Sequence, residues 1–138
     1  MSRYFNIKVA LAFLAICCVA GDCAAAQKTE GSKPIIINGS SNETVKAQLD
    51  LLAQTVGDDK LIIAIAHLGN GESSPRLNRR RLRSIRSYLE TVRAVPEQKI
   101  ITAVGESVRG LGRVEVYLCD RLFMIFTLER NKEFAKEQ

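Results

Sequence analysis

Eighteen residues, Arg76 to Arg93 (RLNRRRLRSIRSYLETVR), hold seven arginines and a single acid, Glu90. Guanidinium groups at that density suit one chemistry above others: gripping phosphate or carboxylate, in two-point geometry where the planar fork faces the anion. The arginines are not equivalent. Arg81 precedes Ile85 by four residues and Leu82 by one, so it borders an apolar stripe and can point toward a sheet edge where loops gather. There it can bind a ligand carboxylate or make a structural ion pair with Glu115 or Glu106. Arg79, Arg80, Arg83 and Arg86 lie off the stripe and form a basic face. Like charges at i,i+3 and i,i+4 repel by roughly 0.2–0.5 kcal/mol each. Such a face points to an anionic partner, unless acids from elsewhere in the fold neutralise it.

The remaining reactive residue types are sparse. His67 is the sole histidine, at the end of an apolar run, with no serine, cysteine or paired acid at a spacing that supports nucleophilic or acid–base catalysis. One histidine and scattered cysteines assemble no metal site, and no phosphate-cradling glycine pattern is present. The expectation is a protein that is not an enzyme and takes no cofactor and no metal.

The N-terminus decides where the arginines work. Arg3 and Lys8 precede the apolar run Val9–Ala20, and Ala24-Ala25-Ala26 offers a small-x-small cleavage pattern. Residues 1–26 therefore read as a signal peptide cleaved before Gln27. Lipidation at Cys17, Cys18 or Cys23 is disfavoured: neither Asp22 before Cys23 nor Ile16 before Cys17 is the small residue that normally stands there. After cleavage only Cys119 remains, which excludes an internal disulfide and leaves one between chains open. Without Arg3, Lys8 and Asp22, the 20 basic and 15 acidic residues become 18 and 14, net +4. Seven of those cations against one acid lie in 76–93, so the rest of the mature chain is net −2. Export, and the lack of aromatics interleaved among the arginines beyond Tyr88, argue against nucleic acid as the anion.

The elements that must position these groups follow from periodicity. Residues 27–33 are a polar lead-in, and Pro34–Ile37 a short strand suited to an edge. Val45, Leu49, Leu52, Ala53 and Val56 mark a helix over Asn42–Val56, with Ser40 and Glu43 as a capping box. Leu61–Ala66 is a continuously apolar central strand, followed by the loop 67–74. Ser74-Pro75 starts a second helix with Leu82, Ile85, Leu89 and Val92 as its buried stripe, flanked by Leu77 and Tyr88, and Pro96 closes it. Lys99–Val104, Val114–Leu118 and Leu122–Leu128 are further strands, the last two joined by a turn centred on Asp120-Arg121. The order β-α-β-α-β-β-β predicts an α+β two-layer sandwich, two helices on one face of a mixed sheet, as a single domain over 34–130. Residues 131–138 form a charged tail that frays.

The strand LIIAIAH, the helix pattern L-N-x-x-R-L-x-x-I-x-x-Y-L, the segment K-I-I-T-A-V-G-E-S and then G-R-V-E-V together resemble the OmpA-like C-terminal domain of bacterial envelope proteins, over about residues 61–118. The resemblance implies noncovalent binding of peptidoglycan, with diaminopimelate gripped by an aspartate and by the helix arginine. Carried across, that arginine is Arg81, the aspartate position falls on Gly69, and Gly112 replaces the first of two paired arginines. The loop is also shortened. The expected ligand site is Arg81 with Asn78, Asn70 and Glu72, and the expected role is a noncatalytic exported module of the periplasm or outer membrane that binds peptidoglycan or another anionic envelope component. The alternative is a protein-interaction module that keeps this scaffold without peptidoglycan binding and forms a homodimer through the strand Leu122–Leu128, by sheet extension or by its spare face.

Overall fold

A computed structural model of the protein describes residues 33–39 and 41–134. The expected leader, its expected cleavage site and most of the expected lead-in lie outside the described residues. The elements run β1 (Ile35–Ile37), α1 (Asn42–Thr55), β2 (Ile62–His67), α2 (Pro75–Ser87), β3 (Ile100–Val104), β4 (Gly112–Leu118) and β5 (Arg121–Leu128). They form the two-layer α+β sandwich that the apolar periodicity predicts.

The five strands make one mixed sheet in the order β1-β5-β4-β2-β3. β1 pairs parallel with β5 and β3 parallel with β2, while β4 is antiparallel to both β2 and β5. Alternation sorts the side chains. Ile62, Ala64, Ala66, Val114, Val116, Leu118, Met124, Phe126 and Leu128 turn toward the helices and are buried. There they share one core with Val45, Leu49, Leu52, Leu82, Ile85 and Leu89. The opposite face holds Ile63, Ile65, Glu115, Tyr117 and Ile125, all half-buried.

Several details depart from expectation. The cap of α1 is Ser41, whose Oγ accepts from the Thr44 amide at 3.3 Å, one residue later than the capping-box pattern suggests. Ser40 is outside the described residues. The β4–β5 turn falls on Cys119-Asp120, with Cys119 at φ +55 and Arg121 already paired to Leu118. α2 runs into a π turn at Tyr88–Val92, in which the Arg93 amide donates to the Tyr88 carbonyl at 3.3 Å. The wider turn shifts the phase of the helix. Tyr88 and Leu89 stay buried, Val92 swings out to 41% exposure, and Val95 fills the core instead. Ala94, at φ +53, ends the helical segment two residues before Pro96.

β5 is an interior strand, hydrogen-bonded to β1 on one side and β4 on the other. β1 covers only Met124–Phe126 on its side, and the sheet edges are β1 and β3. The segment after β5 is also not loose as far as Phe134. That ring is buried and meets Phe126 edge-to-face with centroids 5.7 Å apart. Residues 135–138 lie outside the described residues.

Candidate functional site

The loop between β2 and α2 brings Glu72, Asn78 and Arg81 together. Pro75 and the start of α2 follow Glu72 by three residues, and the helix places Asn78 and Arg81 on its inner face. Arg81 is wholly buried, as is Asn78, and the Glu72 side chain is 1% exposed. The guanidinium and the carboxylate meet fork to fork: Nη2 donates to Oε1 at 2.6 Å and Nη1 to Oε2 at 3.0 Å. Arg81 Nε donates to the Lys132 carbonyl at 2.9 Å, and Nη1 also approaches Asn78 Oδ1 at 3.4 Å. Asn78 Nδ2 donates to the Ala66 carbonyl at 3.1 Å, pinning the helix to the end of β2.

Each Glu72 oxygen has a second donor. The Gly69 amide bonds Oε2 at 2.9 Å and the Asn131 amide bonds Oε1 at 2.8 Å. Burial alone would raise the Glu72 pKa, but the hydrogen bonds from Arg81, Gly69 and Asn131 outweigh it and hold the group at about 2. A charge pair this deep is tolerated because each partner's polar atoms are satisfied by the other or by backbone.

Two glycines make room for the pair. A Cβ on Gly112 would lie 2.3 Å from Glu72 Oε2 and 2.7 Å from Arg81 Nη1. A Cβ on Gly69 would lie 2.2 Å from the Gly112 amide nitrogen. Thus Gly69 has no room for a side chain against the Gly112 backbone, and Gly112 is closed by the Glu72–Arg81 contact. A carboxylate of the protein itself occupies the fork of Arg81.

The expected site residues therefore separate. Glu72, Asn78 and Arg81 form one buried cluster, whereas Asn70 is exposed, its amide donating to the Gly110 carbonyl at 2.7 Å. Arg81 pairs with Glu72, not with Glu115 or Glu106. Asn131 and Lys132 belong to the cluster through backbone groups alone, and backbone contacts of that kind leave no mark in the sequence.

The basic face also divides. Arg80 pairs with Glu133 at 3.1 Å, and Arg86 bridges Glu90 at 2.6 Å and Glu97 at 2.5 Å. Arg93 clasps Asp50 together with the Tyr88 hydroxyl, and these hydrogen bonds, Tyr88's first, lower the Asp50 pKa. Arg76, Arg79 and Arg83 are exposed, and none of them has a carboxylate partner among the described residues.

His67 lies on the open sheet face. Its Nδ1 is 2.8 Å from the Glu106 carbonyl and its Nε2 is 3.7 Å from Glu115. Glu115 accepts from Tyr117 at 2.8 Å and pairs with Arg113 at 2.7 Å. That hydrogen bond raises the Tyr117 pKa. Among the described residues, no cluster of three or more histidine, cysteine or acidic side chains could hold a metal, and no helix is long and apolar enough to cross a membrane. Comparison with protein-family models, with curated proteins and with solved structures finds no match to this chain.

Proposed function

We propose that the protein is a noncatalytic, exported module with an OmpA-like scaffold that attaches to an anionic component of the bacterial cell envelope through arginines exposed on α2. The observation that carries this reading is the division of charge along that helix. Arg80, Arg81 and Arg86 are committed to Glu133, Glu72 and the Glu90/Glu97 pair. Arg76, Arg79 and Arg83 recur at i, i+3 and i+7 and face solvent together, with no carboxylate partner among the described residues, so an external anion would relieve their mutual repulsion. The leader pattern in the sequence supports an envelope source for that counter-charge.

Peptidoglycan held through Arg81 is the narrower form of the reading. It requires a ligand carboxylate to displace Glu72 from a fork that the protein already fills, and to pass the Asn131–Lys132 backbone that covers it. Peptidoglycan bound by the exposed arginines makes no such demand. Sedimentation with purified sacculi, and separately with vesicles of envelope lipid extract, tests the reading. Retention on either, weakened at least several-fold by Arg79→Glu with Arg83→Glu, is expected; retention on neither refutes it.

A second reading, a protein-interaction module, is favoured by the open face of the sheet. Ile36 is 60% and Ile101 45% exposed, and they flank half-buried Ile63, Ile65, Tyr117 and Ile125. Glu115, the acid within this patch, is already neutralised by Arg113 and accepts from the Tyr117 hydroxyl, so covering it strands no lone charge. Because Met124–Phe126, the middle of β5, are paired on both sides, this face is the larger surface that β5 offers a second copy. Light scattering on the protein and on Ile125→Glu tests its homodimer form: a dimer abolished by the substitution supports it, and a monomer at high concentration removes it.

A further inference from the structure

One end of the domain carries a surface that the Glu72–Arg81 pair leaves unused. Leu111 stands on the β3–β4 loop with 53% of its surface exposed, between Gly110, at φ +88, and Gly112. Arg109 beside it is exposed. The neighbouring loops are tied to this one. The Asn70 amide donates to the Gly110 carbonyl, and the Val108 amide to the Leu68 carbonyl at 2.8 Å. The Arg130 guanidinium lies 3.0–3.1 Å from where a Cβ on Gly71 would stand, and α2 begins four residues beyond Gly71 with Arg76 on its first turn.

An exposed leucine is therefore grouped with three exposed arginines, Arg76, Arg109 and Arg130. None of the three has a carboxylate partner among the described residues. Arg79 and Arg83 extend the charge down the helix. The acids at this end do little to cancel it: Glu72 is neutralised by Arg81, Glu129 pairs with Lys132 at 3.8 Å, and Glu106 is the remaining exposed one.

An apolar tip among cations matches the chemistry of a lipid interface, where phosphates meet the guanidinium groups and the leucine enters the boundary between headgroups and acyl chains. A single-stranded nucleic acid would call for aromatic stacking platforms, and no aromatic side chain among the described residues is exposed. We propose that this end of the domain docks on an anionic phospholipid bilayer, with Leu111 entering the headgroup boundary and Arg76, Arg109 and Arg130 pairing with lipid phosphates. The proposal rests on the envelope reading and narrows it to one component.

The test is sedimentation of the protein, purified as the cell processes it, with vesicles of phosphatidylglycerol in phosphatidylcholine, with vesicles of phosphatidylcholine alone, and with purified sacculi. Binding to the anionic vesicles that falls with salt, and none to the neutral ones, is expected. Arg76→Glu with Arg130→Glu lowers the affinity about 25-fold or more, at about fivefold for each cation removed from an anionic surface. Leu111→Ser lowers it about tenfold and leaves the salt dependence in place, because it removes apolar insertion and no charge. These exposed, unpaired side chains leave the melting temperature unchanged, which checks that each variant is folded.

Equal binding by the charge-reversed variant, equal binding to neutral vesicles, or displacement by free inorganic phosphate overturns the proposal; the last outcome would mean a discrete phosphate site. Retention on sacculi without vesicle binding also overturns it and leaves the envelope reading standing. Retention on neither refutes both.

Discussion

Replacing Glu72 with glutamine keeps the shape of the side chain and removes its charge, leaving Arg81 buried without a counter-ion. Both carboxylate oxygens accept from two donors, Gly69 N and Arg81 Nη1 at Oε2, Asn131 N and Arg81 Nη2 at Oε1. Whichever way the amide turns, its NH2 group faces donors. Breaking a buried ion pair from one side typically costs about 3–5 kcal/mol. The depressed pKa of Glu72 points the same way. A carboxyl held at about 2 in the fold against an ordinary 4.5 corresponds to about 3–4 kcal/mol of stability at neutral pH, at ~1.4 kcal/mol for each unit. For a domain of this size that lowers the melting temperature by about 12 °C or more. The sign of the pH dependence follows. The folded pKa is below the unfolded one, so the contribution is complete above pH 4.5 and is lost as pH falls toward 2. Urea denaturation of parent and Glu72→Gln across that window measures both. The two stabilities should differ most at neutral pH and converge in acid. A loss under about 1 kcal/mol at pH 7, or parallel acid profiles, would refute the buried clamp, since Glu72 would then not be the ion pair's essential half. Replacing both partners with apolar residues should recover part of the loss, because it removes the stranded charge along with the pair.

Other expectations follow from the same geometry. Gly69→Ala places a Cβ 2.2 Å from the Gly112 amide, and Gly69→Asp adds a carboxylate beside it. Both should lose about 1–3 kcal/mol or more in denaturant titration, as overpacked sites do, and the aspartate should create no diaminopimelate binding. Phe134→Ala empties the space against Phe126 and should cost about 3–5 kcal/mol, whereas a freely fraying tail would register no change in thermal melting. Tyr88→Phe removes the hydroxyl that donates to Asp50 at 2.7 Å. It should cost about 1 kcal/mol and move the Asp50 pKa, followed by NMR titration, up toward its ordinary value.

Much of the architecture was legible along the chain because it depends on local periodicity. Ile62, Ala64 and Ala66 alternate with Ile63, Ile65 and His67, and Leu82, Ile85 and Leu89 recur at helical spacing, whichever partners they later meet. The helix limits were less legible. Whether Val92 or Val95 fills the core turns on a π turn, and backbone hydrogen bonding sets that, not composition.

The candidate site was legible only in its parts. Arg81 stood out as the arginine beside the apolar stripe, and Glu72, Asn78 and Asn70 as its polar neighbours in the chain. Which carboxylate fills the fork is a tertiary matter: Glu115 and Glu106 were open possibilities, and the folded loop supplies Glu72. Gly69 and Gly112 carry the only sequence trace of that arrangement, and glycine acquires this meaning only when the space around it is known. What the sequence by itself determined is the α+β layering, the basic helix and the leader pattern, since each follows from residue type and spacing within one segment. The tertiary structure alone decided which arginines are consumed inside the protein and which remain for a partner, because an ion pair is set by distances of a few ångströms between segments far apart in the chain.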